Sequence, residues 1–565
     1  MRGNPLRRLA IVLVVGMLAT GMTVPGPEPA AGAQSVAATP PATPVPATPI
    51  AASGSALDRL PLGASDLRET RTSTGVAPGL TLTQIVRGVR STQDEFAIDV
   101  SFEATKTAAN DLVTRLAGDG FPARVEEVAT RASDDPTAGP LGYRVRITPF
   151  PTQDAATAIR GQLIAAGYEA PRVVFTGEDG AATSGPWVVN LLEVDPDQFT
   201  GTVTPFLGSD LVPGKERVAE IAARSGALAT TNGGYFVVDP TDGTPGDLAG
   251  VSLIAGHLLS EAVNGRTALV LPSAPGAAAL IATVTTKQTV IASDGATREI
   301  DGLNREPGLI RGCGGTGGDA PTEKPKHDFT CTDDSELILS TPAFGQITVA
   351  GAGAEVALDA SQTVVELRKR RGGEIPRDGS VLSATGDAAG WLAAHAPLGA
   401  QLRVDSRVVA DGKPLDVSKT TGIVNGGPRL VSDGAINITA AAEGFTWQED
   451  PGFYYRFGVR RNPRTMAGVT TEGKLLLVTV DGRQPGWSVG ASFAEEGEIM
   501  RALGAVDAVN LDGGGSTAMA VGDKLINRPS DTAGERADGD AIVVLPRRDR
   551  ETRQGGLLAA SPPVS

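Results

Sequence analysis

The sequence predicts an α+β protein: a glycine-rich, mixed-sheet domain joined to a small βαββαβ sandwich. Three observations predict it. Residues 94–178 contain a duplication at an offset of 47, and each copy reads strand, helix, strand. From Gly185 onward, short apolar runs alternate with glycine-rich turns, the texture of sheet. The 565 residues include 71 Gly and 40 Pro, a turn-rich composition. At ~100–200 residues per domain, this length allows two or three domains.

Composition removes several function classes. Lys and Arg number 50 against 65 Asp and Glu, a formal charge of −15. A nucleic-acid partner is not expected, because phosphate binding needs clustered basic residues. The three histidines, His257, His327 and His395, leave few members for a zinc site or a Ser-His-Asp triad.

Taken in order, the chain opens as an export signal. Arg2, Arg7 and Arg8 precede an uncharged apolar run, Leu9 to Val24, and Ala31-Gly-Ala33 supplies an A-x-A cleavage site. Residues 1–33 are therefore read as a signal peptide, leaving no stable membrane span after cleavage. The run is shorter than the ~20 residues a bilayer span needs. Residues 34–75, rich in Ala, Pro and Thr, read as an extended linker. Residues 76–93 contain a strand, Gly79 to Val86, that resumes at Pro186-Trp-Val-Val-Asn-Leu-Leu-Glu-Val. On that reading the duplicated module interrupts a larger sheet. Export places Cys313 and Cys331 where a disulfide persists, stapling a surface loop. Closing such a loop contributes about 3 kcal/mol. Residues 547–565 read as a loose tail.

Within the module, Phe96, Ile98, Val100, Leu112, Leu116, Gly120 and Phe121 map onto Tyr143, Val145, Ile147, Ile159, Leu163, Gly167 and Tyr168. Alternating apolar residues mark the first strand of each copy. Leu112/Leu116 and Ile159/Leu163 take helical i, i+4 spacing, and Gly120 and Gly167 stand where helices stop. The phrase Gly142-Tyr-Arg-Val-Arg-Ile-Thr-Pro-Phe, then Asp154-Ala-Ala and Gly167-Tyr, resembles the SPOR domain. That module binds peptidoglycan glycan strands lacking stem peptides. The resemblance implies cell-wall glycan as partner of residues 94–178, against the alternative of a structural insert.

Three turns carry the candidate chemistry: Asn232-Gly-Gly-Tyr-Phe, Asn425-Gly-Gly-Pro-Arg-Leu and Asn510-Leu-Asp-Gly-Gly-Gly-Ser-Thr517. In each, a short apolar strand ends in Asn or Asp followed by consecutive glycines. Glycine lets backbone approach a ligand, and successive N–H groups can cradle an anion. Two-residue hairpin turns explain one such sequence, but not a run of three glycines. Between the last two turns lie Arg464 and Arg483. Guanidinium suits phosphate because its planar fork donates two parallel bonds.

The blocks NGGYF, NGGPRL, RNPRTMAGV, LLLVTVDGRQ, LGAVDAVNLDGGGSTAM and INRPSDTAGER, spread over residues 186–546, resemble the phosphodiester glycosidase family. The family includes the enzyme that removes N-acetylglucosamine from a phosphodiester to uncover mannose 6-phosphate. The resemblance implies hydrolysis on the glycosidic side of a sugar-1-phosphodiester. It gives a secreted, cell-wall-associated hydrolase. The alternatives are a non-catalytic glycan-binding protein, or cleavage on the other side of the phosphate.

Asp512 is the first candidate for the catalytic carboxylate and Asp481 the second. Glycosidic cleavage commonly uses two carboxyl groups, although phosphate leaves with less need of a proton. Arg464 and Arg483, with the amides of Gly513, Gly514 and Gly515, are the expected phosphate ligands. Asn232 and Asn425, with Gly233 and Gly426 beside them, are expected on sugar hydroxyls or a metal. Ser516 and Thr517 either cap the next segment or touch phosphate. Asn527 and Asp531 are expected supports. Glu495, in Ser492-Phe-Ala-Glu495, has the spacing of a capping box and is also read as a support. No cofactor is assigned with certainty. Calcium among Asp and Asn oxygens is left open, though no D-x-D-x-D-G loop supports it.

Overall fold

The run Leu475-Leu-Leu-Val-Thr-Val480 is buried at every position, which requires cover on both faces. In the computed structural model, Leu476, Val478 and Val480 enter one core with Trp187, Val189, Met466 and Ala508. Leu475 and Leu477 enter another with Leu192, Val194, Ala467 and Val509. This is the period-2 alternation of a strand, with apolar residues on both sides. The structure describes residues 59–547 apart from 264, 272–276, 309, 312–319 and 322–329.

These residues form the middle of an eight-stranded sheet. Its order is Glu69–Ala77, Leu80–Arg87, Trp187–Val194, Leu475–Val480, Arg464–Thr470, Ala505–Asn510, Arg429–Ser432 and Ala435–Ile436. All pairings are antiparallel. The helix Phe493–Ala502 contributes Phe493, Ile499 and Met500 to the first core. A five-stranded sheet containing Ala229–Asn232, Met519–Val521 and Asp540–Leu545 contributes Ala229, Met519, Ile542 and Val544 to the second. Strands Thr267–Leu271 and Gly422–Asn425 add Leu269, Leu271 and Val424.

Leu80–Arg87 pairs directly with Trp187–Val194, with Arg87 opposite Trp187. The duplicated module is thus inserted between two neighbouring strands. The expected linker, residues 34–75, ends too late: Glu69–Ala77 is already an edge strand. Its mostly exposed Glu-Thr-Arg-Thr-Ser-Thr has no apolar alternation to reveal it. The signal peptide, most of the linker and all but the first residue of the expected tail lie outside the described residues, as does Cys313. Cys331 is buried on a three-residue strand, Thr330–Thr332.

The module runs Phe96–Glu103, helix Lys106–Gly118, Arg124–Val128, Gly142–Phe150, helix Gln153–Ala165, Arg172–Phe175. Thr105 and Thr152, themselves 47 apart, cap the two helices by accepting bonds from Ala108 and Ala155 amides. Gly120 and Gly167 follow with φ +85° and +91°, a conformation glycine adopts without a Cβ penalty. Ile98, Val100, Val145 and Ile147 face the helices in one core. Strand alternation sends Asp99, Arg144 and Arg146 to the opposite face, and a bulge between Asp99 and Ser101 brings Phe102 there, opposite Arg144. Among the described residues, no helix is long and apolar enough to cross a membrane.

Candidate active site

The three glycine turns come together and lock into one another. Asn232 is fully buried. Its Nδ2 donates to Asp512 O at 2.8 Å, and its Oδ1 accepts from Thr465 Oγ1 at 2.7 Å and Ala518 N at 3.1 Å. Asn425 exchanges side-chain bonds with the Tyr235 backbone, at 2.8 Å from Tyr235 N and 3.3 Å to Tyr235 O. The Tyr235 hydroxyl donates to Gly427 O at 2.7 Å and accepts from Asn510 Nδ2 at 2.5 Å. The two asparagines therefore hold backbone and do not present amides to a sugar, which corrects their expected placement.

The glycines are needed for this stacking. A Cβ on Gly233 would stand 2.3 Å from Asp540 Oδ1, one on Gly234 2.5 Å from Asn425 Nδ2, and one on Gly426 2.7 Å from Asn510 O.

Asp512 crowns the assembly. The chain leaves the Ala505–Asn510 strand, and Leu511 N donates to Thr465 O at 2.8 Å. Asp512 N then donates to Gly233 O at 3.2 Å, and Gly514 N to Pro463 O at 2.9 Å. The Asp512 side chain, only partly buried, accepts from Gly513 N at 2.8 Å. Since the Gly514 amide is engaged with Pro463, it is not free for the expected anion cradle. Gly515 is closed in by Arg536 and Asp531, which would lie 2.1 and 2.4 Å from a Cβ there; the two side chains pair at 2.8 Å. Ser516 and Thr517 are 1% exposed, placing both beneath the loop surface.

Arg483 reaches this loop and Arg464 does not. Arg483 Nη1 lies 3.3 Å from the Cβ position of Gly514. It is an exposed side chain at φ +57°, a conformation strained for a residue with a Cβ. Its Nε and Nη2 donate to Asn462 Oδ1 at 3.2 and 2.9 Å, and it makes no ion pair among the described residues. Surrounding protein lowers its pKa by desolvation, against the attraction of Glu178. Arg464 is 2% exposed. It donates to Ala491 O and Phe457 O, pairs with Glu496 at 2.8 Å and lies over Phe493. Its placement corrects the expected phosphate contact.

Asp481 is also buried, with no exposed surface. It accepts from Trp487 Nε1 at 2.7 Å, Asn527 Nδ2 at 3.3 Å and Arg528 N at 3.1 Å. Burial pushes its pKa up to about 6 against those bonds. It ties the 481–488 turn to residues 527–528, away from a reacting position. Asn527 in turn bonds Thr517 O and Met519 N. Glu495 caps its helix with Ser492 as expected and also pairs with Arg461 at 2.7 Å.

Sequence reasoning missed Asp538, Asp540 and Glu178. Asp538 and Asp540 are buried, and burial raises both carboxyl groups; the charge of Asp512 adds to each shift. Asp540 is pushed up to about 7 while accepting from Gly234 N at 2.9 Å. The signal was present in Asp538-Gly-Asp540 before an apolar strand, the same punctuation as the other turns. Glu178, pushed up to about 7 by burial, pairs with Arg460 at 3.2 Å. Among the described residues, no group of three or more His, Cys, Asp or Glu side chains is placed to hold a metal ion.

A cleft of about 860 Å³ adjoins Arg483. It is lined by module residues such as Ser101 and Arg172 and by Tyr455, Arg456 and Asn462.

Sequence profiles of known families match two parts of this structure. The phosphodiester glycosidase profile matches residues 352–545, and the SPOR profile residues 92–173. The chain carries a phosphodiester glycosidase domain and a SPOR domain. A solved structure of a protein from Burkholderia pseudomallei K96243, described as exported, is 34% identical with a TM-score of 0.80. The match covers 86% of this chain and 98% of that one, so the two belong to one family. N-acetylglucosamine-1-phosphodiester alpha-N-acetylglucosaminidase of Bos taurus is 36% identical over 104 residues, 18% of this chain and 19% of that protein. The SPbeta prophage-derived uncharacterized protein YomE of Bacillus subtilis (strain 168) is 36% identical over 94 residues, 16% of this chain and 14% of that protein. The chain thus spans less than a fifth of these curated relatives. The phosphodiester glycosidase profile begins within the region expected for that domain and leaves residues 186–351 unmatched.

Proposed function

We propose that the chain is a secreted hydrolase of the glycosidic bond in a sugar-1-phosphodiester, with its SPOR domain engaging cell-wall glycan. One observation carries the reading: Asp512 and Arg483 meet at a single braced loop, the guanidinium 3.3 Å from the Cβ position of Gly514. A carboxylate beside an unpaired guanidinium suits a substrate with an electrophilic anomeric carbon next to a phosphate. Water's oxygen ends on that carbon. The C1–O bond breaks with its electron pair leaving on a phosphomonoester. Arg483 holds the phosphate oxygens and stabilises the charge that gathers there. Asp512 acts on the anomeric carbon as nucleophile, or on the attacking water as base; the anomeric configuration of the product distinguishes the two. The exported relative and the apolar leader support secretion.

The test is product analysis on a synthetic N-acetylglucosamine-1-phosphodiester, with and without calcium. Free sugar plus phosphomonoester is expected from wild type and not from Asp512→Asn. Sugar 1-phosphate as product would move the reaction to the other bond. No turnover on a panel of sugars would make the chain a glycan-binding protein.

A further inference from the structure

The face of a SPOR sheet opposite its helices is here turned onto the glycosidase domain. Phe102 stacks on Tyr455 with ring centroids 4.8 Å apart. The Tyr455 hydroxyl accepts from Arg144 at 2.9 Å and donates to Asp99 at 3.2 Å. Arg146 bridges Asp99 and Asp179, and Asp179 also pairs with Arg460. These side chains close the middle of the sheet. Its edge, by Arg172–Phe175, stays open as one wall of the 860 Å³ cleft. The opposite wall comes from residues 450–462, and Arg483 lies at the margin shared with the Asp512 loop.

Two guanidinium groups in this cleft lack carboxylate partners among the described residues. Arg483 is one. Arg172 is the other: its guanidinium makes neither an ion pair nor a hydrogen bond among the described residues. Partial burial, Arg456 and Arg460 lower its pKa, against the attraction of Asp450 and Asp99, neither of which pairs with it. By contrast, Arg460 and Arg461 are saturated by Glu178, Asp179 and Glu495. Aromatic rings line the same cleft, among them Phe453 and Phe457, stacked 5.6 Å apart at 10°. Unpaired cations call for anions, and flat apolar faces suit the C–H faces of pyranose rings.

We propose that the SPOR sheet edge and the glycosidase domain form one composite cleft for an extended anionic glycan. Phosphate groups of its repeating sugar-1-phosphodiester units are held at Arg483 and at Arg172. The inference rests on the proposed reaction for the chemistry of the repeat. The module is then a wall of the substrate site, and its ligand is a charged polymer and not a neutral strand.

The test reads binding and needs no turnover. Full-length Asp512→Asn is titrated calorimetrically with a poly-(N-acetylglucosamine 1-phosphate), an uncharged N-acetylglucosamine oligomer and a single-stranded oligonucleotide. The polymer is expected to bind with salt-sensitive affinity. Adding Arg172→Ala should weaken it about tenfold, the loss of one charge-assisted contact, and Arg172→Lys should recover part. Arg115→Ala, on a helix of the module, should leave affinity unchanged. Equal effects of Arg172→Ala and Arg115→Ala would overturn the proposal. So would equal binding of the uncharged oligomer, or of the oligonucleotide. Wild type that binds the polymer through Arg172 but cleaves nothing would sink the proposed reaction and leave the cleft. Cleavage with no dependence of affinity on Arg172 would do the reverse.

Discussion

Asn232-Gly-Gly and Asp512-Gly-Gly-Gly begin alike in sequence and end in different work. Asn232 lies beneath another turn, and both polar atoms of its amide bond the protein. Asp512 is the covering turn, and its side chain is only partly buried. A polar residue and glycines at a strand end therefore make a keystone when covered and a presented group when on top. Position in the stack decides between them.

The largest effect expected is from Asp512→Asn. It removes charge and keeps shape, so turnover of the diester should fall on the order of a thousandfold while the thermal midpoint holds. Initial rates and a melting curve check it together; a large drop in midpoint would make Asp512 a keystone too. Asn232→Ala should show the opposite balance. It strands three buried partners and should cost about 2–4 kcal/mol in urea unfolding.

Next comes a pair of glycine substitutions. Gly233→Ala drives a Cβ into the buried Asp540 carboxyl and should cost about 1–3 kcal/mol. Gly515→Ala meets the end of Arg536, a side chain one-third exposed and able to swing away. It should cost less stability and show its effect in KM. Equal stability losses would erase the distinction between covered and covering turns.

The smallest effect is a pH slope. Asp540 is raised from 3.8 to about 7 by burial, against the Gly234 amide and with Asp512 adding. The folded state then holds a proton that the unfolded chain releases. Its stabilising contribution is complete below the unfolded pKa and is lost as pH rises through about 7. Wild type should lose stability between pH 5 and pH 8 relative to Asp540→Asn, which keeps an acceptor for Gly234. Parallel curves in urea would remove Asp540 from the account.

Local pattern made much of this legible. Thr105 and Thr152, Gly120 and Gly167, and the alternating strands are short-range signals, and each is read from neighbours in sequence. What stayed hidden depends on tertiary layering. Arg464 and Arg483 look equivalent in sequence, but one lies over Phe493 inside the core and the other opens to a cleft. Asp481 reads like Asp512 until Trp487 and Asn527 close over it. Glu69–Ala77 forms as a strand because Leu80–Arg87 offers it an edge, and its own residues carry little preference.

The direct pairing of Leu80–Arg87 with Trp187–Val194 also bears on how the chain reaches its native state. In an unfolded chain, bringing Arg87 to Trp187 means closing a long loop, and that entropy must be lost before the ladder rewards it. A folded module changes the problem, because Phe96 stands opposite Phe175 in adjacent strands. Once those strands pair, the open loop shrinks to the short segments on either side. A module that folds first would then act as an internal template, delivering two distant sheet strands to each other.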